Sequence, residues 1–278
     1  MALFGFGNKQ SKEGEMSFLG HLNALRWHLV RSAIVVTVLS IVAFFFPEII
    51  FTKILLGPKD PNFFTYTFLC DLSHRWNMGD ALCFPVEGFK YDIISTGLTE
   101  QFTLAMWGSL VAGLVVGFPY LLWELWRFIR PALKEKEARN AKGFIFYATV
   151  LFLTGVAFGY YIVTPMAVYF LGNYKVDPSV KVMPTFDSYI SLVTTLVLLM
   201  GLVFELPIIM YFLAKLGIVT AKFLSKNRRY ALVLILIVAA VITPTTDIFT
   251  QMLVAVPLWI LFEASIFVVR RVEKKNPV

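Results

Sequence analysis

Residues Ser188–Ala214 read SYISLVTTLVLLMGLVFELPIIMYFLA, 27 positions of which only Glu205 is charged. A helix needs about 20 mostly apolar residues to cross the ~30 Å hydrocarbon core of a bilayer, so this stretch reads as a membrane span. Counting outward through the gaps between charges finds five more. Upstream, Ser32–Pro47 is an uncharged run of 16 that Leu29–Val30 and Ile49–Phe51 extend. Gln101–Trp123 is 23 residues between Glu100 and Glu124, and Gly143–Tyr174 is 32 residues. Downstream, Tyr230–Thr246 is 17 residues, and Ile248–Val269 is 22 residues interrupted only by Glu263. Barrel strands of ~10 alternating residues do not fit such continuous runs. The expected fold class is an all-α polytopic membrane protein with six transmembrane helices.

The composition agrees. Of 278 residues 58% are hydrophobic and 15% charged, with 27 Phe and a mean hydropathy of +0.73. An ordinary soluble domain has roughly 45–50% apolar and about 25% charged residues. The shortage of charge argues against a water-soluble protein, and the composition excludes a disordered or collagen-like chain. A net charge of +7 would hint at nucleic acid in a soluble protein. Here it reads as basic loops on one side of a bilayer.

The basic residues set the orientation. With both termini on one side, that side holds Lys9, Lys12, Arg26 and Arg31, six between Arg127 and Lys142, five between Lys215 and Arg229, and four in the tail, nineteen in all. The other side holds six: Lys53, Lys59, Arg75, Lys90, Lys175 and Lys181. Every loop is shorter than the ~60 residues within which the positive-inside rule acts, so both termini are expected in the cytoplasm. The expected organisation is a mobile cytoplasmic N-terminus over 1–16, a single membrane domain over 17–271 and a cytoplasmic tail over 272–278. The spans fall at about 29–51, 101–123, 143–167, 188–214, 230–246 and 248–269. No cleavable signal peptide is expected, since the first apolar run starts after about 30 residues without a small-x-small exit. Phe18, Leu22, Leu25 and Leu29 recur at helical spacing, which predicts a short interfacial helix running into the first span.

Two features outside the long spans stand out. Cys70 and Cys83 share the first outer loop, where an oxidising compartment permits a disulfide. It would close a 14-residue loop, worth roughly 3 kcal/mol in the chain-entropy model. The alternative is two buried free thiols; a metal site is poorly supported, with His74 the only other soft ligand nearby. The fifth span is short: only Tyr230–Ile242 is plainly apolar, and such a helix covers about 20 Å. Either the bilayer thins there or the helix end packs inside protein.

Few residues could carry chemistry. Glu205 lies 18 residues after Asp187 and 10 before Lys215, near mid-span, where a carboxyl marks a functional site by default. The plainer alternative is a carboxyl satisfied by a neighbouring helix. Pro207 is expected to kink the helix there. Glu263, seven residues from Arg270, reads as structural pairing with a basic neighbour. Between the second and third spans runs WRFIRPALKEKEAR, Trp126–Arg139, in which Pro131 breaks the helix. Its aromatics and carboxylates could grip a cationic peptide, because carboxylates accept bidentate bonds from guanidinium. The alternative is a solvated charged hairpin. No H-E-x-x-H, G-x-S-x-G or P-loop occurs, so neither an enzyme nor a cofactor is expected. His21 and His28 read as packing or headgroup contacts.

Several motifs occur together. Phe128 to Glu137 follows F-x-x-P-x-L-x-x-x-E, Phe204-Glu205-x-Pro207 lies in the fourth span, and His21-Leu22-x-x-Leu25-Arg26 precedes the first. Thr243-Pro244 with Asp247-x-Phe249-x-Gln251 is followed by Ala255-x-Pro257-Leu258 and Leu261-Phe262-Glu263. In this order, over Ser17–Arg271, the set resembles the TatC family, the multispanning subunit of the twin-arginine protein translocase. The resemblance implies a receptor for signal peptides with paired arginines. With TatA- and TatB-type single-span partners it would move folded proteins across the bacterial cytoplasmic (inner) membrane, as an oligomeric complex driven by the proton motive force. It also implies short fifth and sixth helices. By position it puts Phe128 and Glu137 in the signal-binding surface with Arg26 beside them. Glu205 would lie inside a concave membrane face and Gln251 in a partner-helix contact, while Pro58 would shape the outer cap and Asp247 occupy the tight outer turn. Two departures are visible. Asn23 and Ala24 stand where the family usually has Glu, a loss that Glu135 or a shift of the site could offset, and the turn Thr243–Asp247 is one residue longer than the common form. The alternative function is a proton-coupled secondary transporter using Glu205, which the absence of an internal repeat weakens.

Overall fold

The structure is a computed structural model that describes residues 18–77, 79–80, 83–84, 92–129, 141–175, 177, 179, 183–243 and 248–275. Helix α1 (Phe18–Phe44) leads through a π-helical turn (Glu48–Leu55) and a 3-10 turn (Gly57–Lys59) to α2 (Phe64–Arg75). Helix α3 spans Glu100–Ile129. The third long segment is α4 (Ala141–Phe158), a π-helical turn (Gly159–Val163) and α5 (Thr164–Asn173). The fourth is α6 (Phe186–Val203) and α7 (Leu206–Lys215). Short α8 (Ala221–Lys226) precedes α9 (Arg228–Ile242) and α10 (Ile248–Lys275). Among the described residues the sole β pairing is an isolated Ile94–Thr185 bridge.

The breaks follow proline only in part. Pro165 and Pro207 each sit in the first turn of a new helix, at the starts of α5 and α7, where a missing N–H costs little. Pro119 and Pro257 lie inside α3 and α10 without ending them, because neighbouring helices shield the freed backbone groups in a membrane protein. Among the described residues, five segments are long and apolar enough to cross a membrane: Asn23–Phe44, Glu100–Ile129, Ile145–Asn173, Phe186–Lys215 and Thr250–Lys274. The remaining apolar helix, α9, has 15 residues, or about 22 Å of length. The last helix, expected to be short, is 28 residues long because it continues through Arg270 and Arg271 to Lys275. Its charge-free stretch, Ile248–Phe262, is 15 residues.

The outward faces are apolar. No described side chain of Asn23–Phe44 is buried, and Ile34 and Ile41 of α1, Phe45 just after it, and Val241, Ile248 and Ile260 farther on are well exposed. In water such faces would drive association; in a bilayer they meet lipid. Inside, the helices approach through small residues, the packing mode used where lipid removes the hydrophobic drive between helices. A Cβ on Gly113 of α3 would lie 2.7 Å from the backbone nitrogen of Ser40 on α1, so only glycine permits that crossing. The main core joins Ile190, Val193, Leu196 and Met200 of α6 to Val254, Leu258 and Val269 of α10. Phe118 and Phe152 stack between α3 and α4 in a smaller cluster.

The two ends of the bundle differ. At one, Ile94 donates to the Pro184 carbonyl at 3.1 Å and Phe186 donates back to Ile94 at 2.8 Å, while the Glu100 carboxylate accepts from the backbone of Thr96, Gly97 and Asp187. The starts of α3 and α6 are thus tied together beneath the cap formed by α2. At the other end the finishing turns of α3 and α7 meet through Trp126 and Phe212, 5.8 Å apart. There Glu263 pairs with Arg228 at 2.8 Å, the structural partnership its place in the sequence favoured. Glu273 accepts from the Ala221 nitrogen at 2.8 Å, and Arg270 donates to Ser225 at 3.3 Å.

Candidate functional site

The corner where α1 meets the end of α3 carries the most chemistry. Arg26 is exposed near the start of α1, and His28 follows one turn-half later. Phe128, half-buried in the last turn of α3, meets the His28 ring edge-on, with centroids 6.2 Å apart and planes at 66°. His28 also meets Glu124, one turn earlier on α3, whose Oε2 is hydrogen-bonded to His28 Nδ1. Glu124 Oε1 accepts from the Tyr120 hydroxyl at 2.9 Å and from the Arg127 guanidinium at 3.4 Å. Glu124 is 1% exposed, a charge-bearing group buried deeply but supplied with three donors, as a buried carboxylate requires.

This cluster was missed by counting gaps between charges, which treats Glu124 as the edge of a span. The helix continues past it to Ile129. Tyr120 at i−4 and Arg127 at i+3 were readable as same-face neighbours. His28, 96 positions away, was not, and it serves as a hydrogen-bond partner more than as simple packing. Glu135 and Glu137, the other carboxylates expected here, lie outside the described residues, as does Asp247.

Glu205 sits in the break between α6 and α7, where Phe204 and Glu205 form a turn between the two helices. Its carbonyl accepts from Ile208 and Ile209 at 3.0 Å, opening α7. The side chain is 7% exposed and its Oε1 has no hydrogen-bond partner among the described residues. The expected kink at Pro207 is thus a break that begins three residues earlier, because the proline ring clashes with the carbonyl four positions before it.

The remaining expected residues are dispersed. Pro58 is buried in the cap, its carbonyl accepting from Tyr66 at 2.8 Å; that hydroxyl also lies 3.0 Å from the Pro165 carbonyl. Gln251 Nε2 donates to the Leu236 carbonyl at 3.0 Å, tying α10 to α9 within the chain. Cys70 and Cys83 form a disulfide with Cα atoms 4.3 Å apart. His74 lies 3.7 Å from the Cys83 sulfur and 2.9 Å from Asp80. With both sulfurs bonded to each other neither is a thiolate, so this trio offers no ligand set for a metal. Between α1 and α3 lies an apolar groove of about 600 Å³ lined by Phe44, Phe102, Met106 and Trp107 among others.

Comparison with known proteins gives a consistent result. Residues 20–257 match the family described as Sec-independent protein translocase protein (TatC). A TatC from Blattabacterium sp. subsp. Periplaneta americana is 33% identical over 267 residues, covering 96% of this chain and 100% of that one. The TatC of Aquifex aeolicus is 32% identical over 94% of this chain and 98% of its own length. A crystal structure described as twin arginine translocase receptor TatC superposes with a TM-score of 0.70 at 31% identity, covering 91% of this chain and 99% of that one.

Proposed function

The chain belongs to the TatC family of Sec-independent protein translocase proteins, and from that premise we propose that it is a receptor for twin-arginine signal peptides. In this reading it sits in the bacterial cytoplasmic membrane with both termini inside. With TatA- and TatB-type partners it moves folded proteins outward on the proton motive force. The observation that carries the reading is the α1–α3 corner. Phe128, whose motif continues to Glu137, meets α1 two residues after Arg26 through the His28 ring. A guanidinium arriving there would meet an aromatic ring, and the motif supplies Glu135 and Glu137 seven and nine residues after Phe128 in the sequence; aromatic rings and carboxylates are the groups that accept it best.

The other roles follow by position. Glu205 would act inside the membrane after capture, and Gln251 and the short α9 would adjoin partner helices. Pro58 and Asp247 would shape the outer end. Glu135 would stand in for the carboxylate absent at Asn23 and Ala24. The relatives are protein translocase components, which leaves the solute-transporter alternative without support.

The test is capture by crosslinking. Purified protein is presented with a signal peptide carrying two Arg and with the same peptide carrying two Lys. Preferential capture of the arginine form is expected, and equal capture refutes the receptor role. Glu137→Ala should reduce capture by about tenfold, the worth of one charge-assisted pair, while membrane insertion stays intact; undiminished capture would remove Glu137 from the site.

A further inference from the structure

The last turns of α3 read Tyr120-Leu-Leu-Trp-Glu124-Leu-Trp-Arg127-Phe128. Glu124 and Phe128 are four residues apart and so share a helical face. His28 of α1 stands across from that face and touches both: its Nδ1 is bonded to Glu124 and its ring edge meets Phe128. We propose that Glu124 is a positioning residue for arginine recognition, acting through His28 to fix the ring of Phe128. The inference rests on the signal-receptor reading above.

Glu124 is not itself placed to receive a signal arginine. It is 1% exposed, and its two oxygens are occupied by His28, Tyr120 and Arg127. What it can do is orient. The hydrogen bond between Nδ1 and the Glu124 carboxyl fixes the rotation of the imidazole ring. Tyr120 and Arg127 hold the carboxylate from its own helix, so His28 answers to a fixed point. The same imidazole packs against Phe128 in the T-shaped arrangement that aromatic pairs prefer, with centroids 6.2 Å apart. That contact restrains the attitude of Phe128 at the end of α3.

Ring attitude bears on which cation is preferred. A planar guanidinium stacks flat on an aromatic face, whereas an ammonium is a point charge with no such requirement. A ring held in one attitude therefore favours arginine over lysine, and a ring free to turn loses part of that preference while still contacting either cation.

The experiment uses the full-length protein in lipid nanodiscs, crosslinked to signal peptides that differ only in Arg-Arg or Lys-Lys. The native protein is expected to prefer the arginine peptide. If it shows no preference, the receptor reading fails and this inference falls with it. Glu124→Gln removes the charge and keeps an acceptor for Tyr120; it should lower the arginine-over-lysine preference by about tenfold. His28→Gln should cause the same loss, and the double variant no further loss. Native preference in either folded single variant overturns the proposal. So do losses that add in the double variant, because the two residues then act separately. Thermal unfolding identifies the folded variants. If Glu124→Gln does not fold, His28→Gln is paired with Phe128→Leu instead: a double variant no worse than Phe128→Leu alone is expected, and additive losses overturn the proposal.

Discussion

Glu124 and Glu205 are both buried carboxyls in apolar segments, one within α3 and one in the break between α6 and α7, yet their surroundings differ. Glu124 has a donor for each oxygen, from its own helix and from α1. Glu205 keeps one oxygen without a partner among the described residues, and burial of an unsatisfied polar group is costly. A group retained at such a cost inside a membrane is a functional-site hypothesis by default, which is why we propose that Glu205 acts in a step after capture. Glu205→Ala is therefore expected to reduce translocation of a folded cargo far more than it reduces signal crosslinking, both measured in the same vesicles. The reverse order would make it a binding residue. Glu205 was readable in the sequence because its neighbours on both sides are apolar. Glu124 was not, because it stands at the edge of a charged stretch and its decisive partner is 96 positions away.

At the scale of elements, small residues decide which helices touch. A Cβ at Gly113 would fall within van der Waals distance of Ser40 backbone atoms on α1. Gly113→Ala should therefore lower stability by about 1–3 kcal/mol, read as a fall in the thermal unfolding midpoint in detergent. Gly143 in α4 has open space around it, and there the same change should raise stability by up to about 1 kcal/mol through helix propensity. The second element with consequences is α9. Its 15 residues reach about 22 Å against a ~30 Å hydrocarbon core, so the membrane is expected to thin beside it. Adding one apolar turn within α9 should impair cargo translocation while signal capture persists; a fully active variant would show that the short helix is incidental. The length of α9 followed directly from the spacing of polar residues. The interruption of α6 and α7 at Phe204–Glu205, and the uninterrupted passage of α3 and α10 through Pro119 and Pro257, did not, because the effect of a proline depends on what shields the backbone around it.

At the scale of the whole molecule, the bundle is fastened differently at its two ends. The capped end is covalently closed by Cys70–Cys83 and held by buried polar contacts such as Tyr66 to Pro58. The opposite end has no such bond among the described residues and is held by non-covalent contacts, the buried Glu124 cluster, Arg228 with Glu263 and Glu273 with the start of α8. Reduction, or Cys70→Ser, should cost roughly 3 kcal/mol through the freed 14-residue loop, seen as a lower unfolding midpoint, and should leave capture at the far end unchanged. A reductant-dependent gel shift confirms that the bond is formed.

What the sequence determined by itself was the solvent and the map of spans. A chain with 15% charged residues must place its apolar runs in lipid, and the run lengths are fixed by bilayer thickness whatever the packing. The motif order likewise pointed to the family. Only the tertiary structure decided which polar groups meet. His28, Glu124 and Phe128 form one cluster because the Ser40–Gly113 crossing brings α1 against α3. Periodicity along a chain specifies the face a residue occupies; the identity of the group opposite is set by helix crossing, which depends on close contacts between residues far apart in sequence.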